Sequence, residues 1–296
     1  MGDALGTTLE FRTPGTFEPL TDIVGGGPFE LEPGQWTDDT SMALCLADSL
    51  VELGIFSAKD QMDRYVRWWQ DGYLSSTGHC FDIGTTIRGS LTRYVTYGEP
   101  YSGDPSPKAA GNGSIMRLAP VPLFYAQSPD KAIERAAESS RTTHGAITCI
   151  DACRYMAAIL VGAVQGASKE TLLEALYSPI SSYWTLHPLC PEIEAIAEGS
   201  FKRKQPPEIK GTGYVVDSLE AALWAFYSTS SFKEGCLKAV NLGNDADTTG
   251  AVYGQIAGVY YGVEGIPASW REEVAMSEKI LGFSKELLRL AQAISI

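Results

Sequence analysis

Thr37-Asp38-Asp39-Thr40-Ser41-Met42-Ala43-Leu44-Cys45-Leu46-Ala47-Asp48-Ser49-Leu50-Val51-Glu52-Leu53-Gly54 carries the pattern that recurs along the whole chain. Met42, Cys45, Leu46, Ser49, Leu50 and Leu53 repeat at intervals of three and four, one face of a helix, and Gly54 stops the pattern. Ser57 with Asp60 reads as a capping box that opens a second helix through Tyr65, Trp68 and Trp69 to Gly72. A third covers 86–97, ending at Gly98. Ser128-Pro129 opens one that reaches Ser140, and 144–165 is long, rich in small residues and closed by Gly166. Further helices are expected over 169–177, 192–198, 214–227, 232–240, 247–261 and 272–293. Few segments alternate apolar with polar residues, so strands are not predicted. The expectation is an all-α, compact multi-helix bundle of roughly ten helices, a single domain over 1–296.

The connecting segments 25–28, 101–112, 178–191 and 201–213 are rich in Gly, Pro and Ser, and loops of that size in a compact domain often carry binding functions. No fixed-period repeat or low-complexity tract is visible.

Of 296 residues, 23 are Lys or Arg and 36 Asp or Glu, giving a net charge of −13. So acidic a surface disfavours nucleic-acid backbones and anionic membranes as partners and favours cations. No run approaches eighteen apolar residues, and Met1–Gly6 has neither a basic nor an apolar segment of a secretory signal. The six cysteines are scattered, and only Cys149 and Cys153 are close, at a spacing suited to packing on a helix. They are expected to be reduced thiols in a cytoplasmic protein, a monomer.

Thr37-Asp38-Asp39-Thr40 and Asn244-Asp245-Ala246-Asp247-Thr248-Thr249 each set two carboxylates and flanking hydroxyls at a helix start. Capping explains one acceptor at each start, not four or more oxygens. Crowded carboxylates repel, and hard divalent cations with oxygen ligands relieve that repulsion. Neither segment holds His or Cys, which argues against zinc. If the two starts face each other, four Asp and two Thr could hold a pair of Mg²⁺ or Mn²⁺ ions. Gly111-Asn112-Gly113-Ser114 precedes Ile115, Met116 and Leu118 and is expected to open a helix, with backbone amides free to approach an anion. An ordinary Asn-Gly turn is the plainer alternative. It lacks the Walker lysine. His144, one of three histidines, and Glu10, between Leu9 and Phe11, are unremarkable alone.

Together these segments resemble the ADP-ribosylglycohydrolase family, in particular its bacterial dinitrogenase-reductase-activating members. The matching stretches are Gly2-Asp3-Ala4-Leu5-Gly6 with Glu10-Phe11, Gly34 to Thr40, Gly111 to Ser114 with Met116-Arg117, Thr143-His144, Tyr214 to Asp217 and Asn241 to Gly250. The resemblance implies an all-α fold with a binuclear Mg²⁺ or Mn²⁺ centre in a cleft. It implies hydrolysis of the bond joining ADP-ribose to a modified acceptor, on a protein or a small conjugate, with arginine the first choice. By motif position Thr37, Asp38, Asp39, Asp245, Asp247 and Thr248 are the implied metal ligands, with Asp247 bridging. Glu10 is the implied ligand or acid–base carboxylate, with Asp38 or Asp39 as fallback. Gly111, Asn112, Gly113, Ser114, His144 and Tyr214 are the implied substrate-binding residues.

Two departures accompany the resemblance. The family usually has an apolar helical stretch ahead of Gly-Asp-Ala-Leu-Gly, whereas this sequence begins at that motif; either the gene model is short or the first helix is truncated, and both bear on the packing behind Glu10. Some arginine-specific members carry an aspartate shortly before the Gly-Asn-Gly turn, where this chain has Lys108-Ala109-Ala110. The rival readings are a catalytically silent ADP-ribose-binding or structural member, and a metal-dependent phosphohydrolase of ADP-ribose-like nucleotides. The full set of acid-Thr ligands argues against the first, and the product separates the second.

Overall fold

The computed structural model describes residues 1–294. In chain order its helices are α1 (Gly2–Gly6), α2 (Asp38–Leu53), α3 (Ala58–Asp71), α4 (Thr85–Tyr97), α5 (Pro120–Phe124), α6 (Pro129–Thr143), α7 (Ile147–Val164), α8 (Lys169–Leu172), α9 (Tyr183–Leu186), α10 (Pro191–Ala197), α11 (Val215–Tyr227), α12 (Phe232–Val240), α13 (Ala246–Tyr261), α14 (Ala268–Glu273) and α15 (Ser277–Ile294). Extended pairing among the described residues is confined to isolated bridges, at Gly26–Leu31, Asp104–His144 and Gly111–Tyr214. The all-α expectation holds, and the long periodic helices end within a few residues of where their caps place them.

Four expectations need correction. The Gly111 turn does not open a helix: residues 113–117 are successive turns, and the next helix waits until Pro120. Gln255 on α13 supplies what a helical ladder would have given, donating to Ile115 O and Met116 O and accepting from Ala119 N. No helix dipole therefore stands behind that turn. Second, His144 does not begin the long apolar helix. It closes α6 in an extended conformation, φ −128° and ψ 101°, and α7 starts three residues on. Third, the helix expected over 169–177 stops at Leu172; Leu176, at φ +54°, gives its amide to Ala197 O instead. Fourth, 272–293 is two helices. Val274 is extended, the Ala275 amide is taken by Gly34 O, and Met276 sits at φ +56°.

Two apolar cores flank α2. Leu46, Ala47 and Leu50 face a larger one with α7, α11 and α13, while Met42, Leu44 and Cys45 face a smaller one with Trp36, Trp68, Ile87 and Leu91. Its apolar stripe is wide enough to serve both, which fixes the acidic N-terminal turn between them. The helix α7 has a mean hydropathy of 1.6 over 18 residues, long and apolar enough to cross a membrane by length and composition, although Asp151 and Arg154 interrupt it. Within this fold 83% of it is buried, as in a core helix. Cys149 and Cys153 are buried there, and the six cysteines are free thiols.

The approach of α1 to α13 sets the site. A Cβ on Gly6 would lie 2.3 Å from Ala246 O, and one on Gly2 1.9 Å from Gly250 O. Bare backbone at these crossings lets the first residues of the chain lie directly on the start of α13. Gly6→Ala forces backbone apart, so it is expected to cost about 2–3 kcal/mol and lower the melting temperature by roughly 3–5 °C. An unchanged calorimetric melting curve would mean that the crossing is loose.

Candidate active site

Asp3 does the capping that the Asp-Thr segment was expected to do for itself. Thr37 is the N-cap of α2, yet its side chain makes no cap bond. Asp3 Oδ1 accepts from the Thr37 amide at 2.9 Å and hydroxyl at 3.0 Å, and Asp3 Oδ2 accepts from the Thr40 amide at 3.0 Å and hydroxyl at 2.5 Å. An acid from α1 thus satisfies the orphan donors of α2, and Asp38 and Asp39 are left over.

The two acidic helix starts, more than 200 residues apart, meet. Thr37 Oγ1 lies 3.2 Å from Asp247 Oδ2, and Thr248 Oγ1 lies 3.3 Å from Asp39 Oδ2. Thr37 Oγ1 also lies within reach of Asp3 Oδ1 and Asp39 Oδ2. Its single proton satisfies one of these oxygens. Glu10 Oε2, Asp39 Oδ1 and Asp247 Oδ1 are buried with no hydrogen-bond partner. One carboxylate oxygen each from Glu10, Asp82 and Asp247 lies within 4.8 Å of the others.

This cluster floors a cleft of about 280 Å³. Glu10, Asp38, Asp82, Asp245, Asp247 and Thr248 line it, with Gly111, Asn112, Gly113 and His144 on the wall and Phe11 and Met116 beside them. No lysine or arginine is among the lining residues. The electrostatics follow. Burial first, then Asp82 and Asp245, push Glu10 up to about 10. Burial first, then Asp245 and Asp3, push Asp82 up to about 7. Asp38, Asp39 and Asp247 are all raised well above the usual carboxylate range, burial being the largest cause and neighbouring acids the next. Carboxylates that cannot all ionise together, several oxygens of which lack any partner, form a donor set that fits hard divalent cations. Asp39 and Thr37 stand buried behind the lining residues, against the same cluster.

The substrate-side residues divide. Asn112 spends its side-chain amide on Asp245 Oδ2 and Ser218 Oγ, both at 2.8 Å, so it ties the turn to the acidic cluster and to α11. Ser114 is buried behind the turn, off the cleft wall. Tyr214, 39% exposed, pairs with Gly111 through its backbone at the rim and is not a lining residue. His144 is buried on the wall, and burial, reinforced by Arg117, holds its imidazole down to about 3.

Asp82 and Asp3 are the residues that motif reading passed over. Asp82 occupies a left-handed conformation, φ +58°, just ahead of Gly84-Thr85-Thr86 at the start of α4. An acid followed closely by a hydroxyl pair at a helix start is the pattern of the other two segments, and it was available to find Asp82.

A profile of the ADP-ribosylglycohydrolase family matches residues 1–295. The chain is 40% identical over 291 residues to an ADP-ribosylarginine hydrolase Tri1 of Serratia proteamaculans, covering 98% of this chain and 77% of that one. It is 44% identical over 288 residues to an ADP-ribosylarginine hydrolase Tri1 of Pseudomonas putida, covering 97% and 75%. An ADP-ribosyl-[dinitrogen reductase] glycohydrolase of Rhodospirillum rubrum is 31% identical over 93% of this chain and 87% of its own. Among solved structures, a chain of an "ADP-ribosylglycohydrolase-related protein complex" superposes with a TM-score of 0.86 at 43% identity, covering 98% of this chain and 94% of that one.

Proposed function

The chain belongs to the ADP-ribosylglycohydrolase family, whose members are hydrolases, and from that premise we propose that it removes ADP-ribose from arginine side chains of proteins in a reaction that depends on divalent cations. One observation carries the reading: five carboxylates from both ends of the chain line one cleft that no basic residue neutralises. The names of the relatives at 40% and 44% identity favour arginine as the acceptor.

Glu10, Thr37, Asp38, Asp39, Asp82, Asp245, Asp247 and Thr248 would hold two Mg²⁺ or Mn²⁺ ions. Bound there, such ions supply Lewis acidity toward ribose hydroxyls and make a nearby water a stronger nucleophile. The chain's own groups do the rest. The Gly111–Gly113 turn and His144 wall one side of the cleft and orient the ADP-ribose. Glu10 holds a carboxylate oxygen, Oε2, with no protein partner, and is the acid–base group. It takes a proton from the attacking water as the new C–O bond forms at the anomeric carbon. It returns that proton to the departing guanidine nitrogen as the C–N bond breaks. Water is thereby split between the two products, and neither oxidant nor reductant is consumed. A positioned carboxylate of this kind contributes about 10²- to 10⁴-fold.

Purified protein with Mg²⁺ or Mn²⁺ is expected to release free ADP-ribose from an ADP-ribosylated arginine peptide, with the unmodified peptide as second product, read by mass spectrometry. AMP or inorganic phosphate as product would assign a phosphohydrolase, and cleavage of a serine-linked peptide alone would move the acceptor.

A further inference from the structure

Arg117 is completely buried, and none of its hydrogen bonds goes to a carboxylate. Its guanidinium stands 4.6 Å over the Tyr65 ring, faces Met42 Sδ, and donates to Ser139 O, Thr142 Oγ1 and, at 2.6 Å, Thr143 Oγ1. Burying a cation without a counter-ion is costly, so its placement calls for a compensating role. Thr143 supplies one. Its hydroxyl accepts from Arg117 and lies 2.8 Å from His144 Nδ1.

A guanidinium has only donors, so Arg117 occupies a lone pair of the hydroxyl and leaves its proton free. That proton reaches one acceptor, His144 Nδ1. The reverse arrangement, with Nδ1–H donating, would strand a buried O–H. The imidazole is neutral at physiological pH, because burial and the nearby Arg117 both oppose a second proton. The one remaining N–H is therefore on Nε2. That edge of the ring faces the turn at the place where side chains are missing: a Cβ on Gly113 would lie 2.7 Å from His144 Cε1 and 3.1 Å from Nε2. His144 lines the cleft, and no protein acceptor for Nε2 is found among the described residues.

We propose that Arg117 and Thr143 are positioning residues that lock His144 in its Nε2–H tautomer, making the ring a fixed hydrogen-bond donor to an oxygen of the ADP-ribose moiety. The identity of that ligand rests on the function proposed above, whereas the relay stands on the hydrogen bonds alone. A fixed neutral donor suits an anionic or hydroxyl-rich ligand in an acidic cleft, since it offers a proton without offering a charge to the carboxylates.

The test separates the two parts. Nitrogen NMR of ¹⁵N-histidine-labelled protein at pH 7, without ligand, is expected to show His144 with a protonated Nε2 and an unprotonated Nδ1. Thr143→Val removes the hydroxyl at near-constant volume and is expected to give a mixture of tautomers. Thr143→Ser keeps the hydroxyl and is expected to keep the wild-type signal. Isothermal titration with ADP-ribose, in the presence of Mg²⁺, is expected to show about 2- to 5-fold weaker binding for the valine variant, the inverse of the fraction of rings left with Nε2 protonated. The serine variant should bind as tightly as wild type. With ADP-ribosylated arginine the same loss falls mainly on KM. A protonated Nδ1 in the wild type overturns the relay whatever the activity. Binding by the valine variant equal to wild type overturns the donor role. Should the valine variant fail to fold, the wild-type spectrum and the serine variant still decide. A wild type with the expected tautomer but no affinity for ADP-ribose rejects the ligand and the proposed function, and leaves the relay intact.

Discussion

Asp247→Ala is expected to lose cation binding and turnover together while the helices remain. Asp247 sits in the first turn of α13, is 1% exposed, and has one carboxylate oxygen with no partner. Its other oxygen lies 3.2 Å from Thr37 Oγ1, and it groups with Glu10 and Asp82, so it stands against all three acidic segments at once. Asp39 makes the reciprocal contact from α2, its Oδ2 lying 3.3 Å from Thr248 Oγ1. Removing Asp247 deletes a ligand common to the cluster, and ADP-ribose release is expected to fall by about 10³-fold or more, some 4 kcal/mol of transition-state stabilisation. Stability responds in the opposite sense. Burial and the neighbouring Glu10 and Asp245 hold this group above the usual carboxylate range, so in cation-free protein its removal relieves strain. The cation-free variant is therefore expected to melt no lower than cation-free wild type. Titration calorimetry with Mn²⁺ checks the assignment: two ions bound at wild-type affinity would remove Asp247 from the ligand set.

The long helices were legible because period and punctuation agreed. The α2 stripe ends at Gly54 at φ +67°, and α3 opens where the Ser57 hydroxyl accepts from the Asp60 amide. The facing of the two Asp-Thr segments was not legible, because it depends on bare backbone at Gly2, Gly6 and Gly250 that no periodicity reports. Asp3 illustrates the difficulty. In sequence it is one acid in a five-residue glycine-rich segment, too short for a hydrophobic period; in space it caps a helix 34 residues away. The Gly111 turn misled for a related reason. Ile115, Met116 and Leu118 have helical spacing, but their backbone partners come from Gln255, and side-chain capping from a distant helix overrides local propensity. The break between α6 and α7 falls at Gly145, and what fixes it is non-local: the Gly145 amide goes to Asp104 O on a distant loop, a partner that no periodicity reports.

Chelation should unmask the repulsion inside the cluster as a pH-dependent loss of stability. Unfolded Asp and Glu titrate near pH 4, whereas Asp82 is pushed up to about 7 and Glu10 to about 10, with Asp38, Asp39 and Asp247 raised as well. Between those limits the folded state holds more protons than the unfolded chain, so stability falls as pH rises. The contribution is whole below pH 4, and Asp82 surrenders its share as pH climbs through about 7. His144 has the opposite sign. Its folded value near 3 is depressed, so its contribution is present above its unfolded value and declines only on acidification. Buried thiols such as Cys153, pushed up to about 11, oppose stability only where unfolded cysteines ionise, above about pH 8.5. The interval from pH 6.5 to 8 therefore isolates the carboxylates. In EDTA the melting temperature is expected to drop across it by several degrees. Added Mg²⁺ or Mn²⁺ displaces the protons, so its stabilisation should grow with pH, and it should restore ADP-ribose release that chelation abolishes. A flat melting temperature in EDTA would show that these carboxylates are not raised, and equal stabilisation by cations at both ends of the interval would show that cations do not displace their protons. Full turnover after rigorous chelation would place the chemistry on the carboxylates alone, and Glu10 would then have to act with Asp38 or Asp39 as its partner.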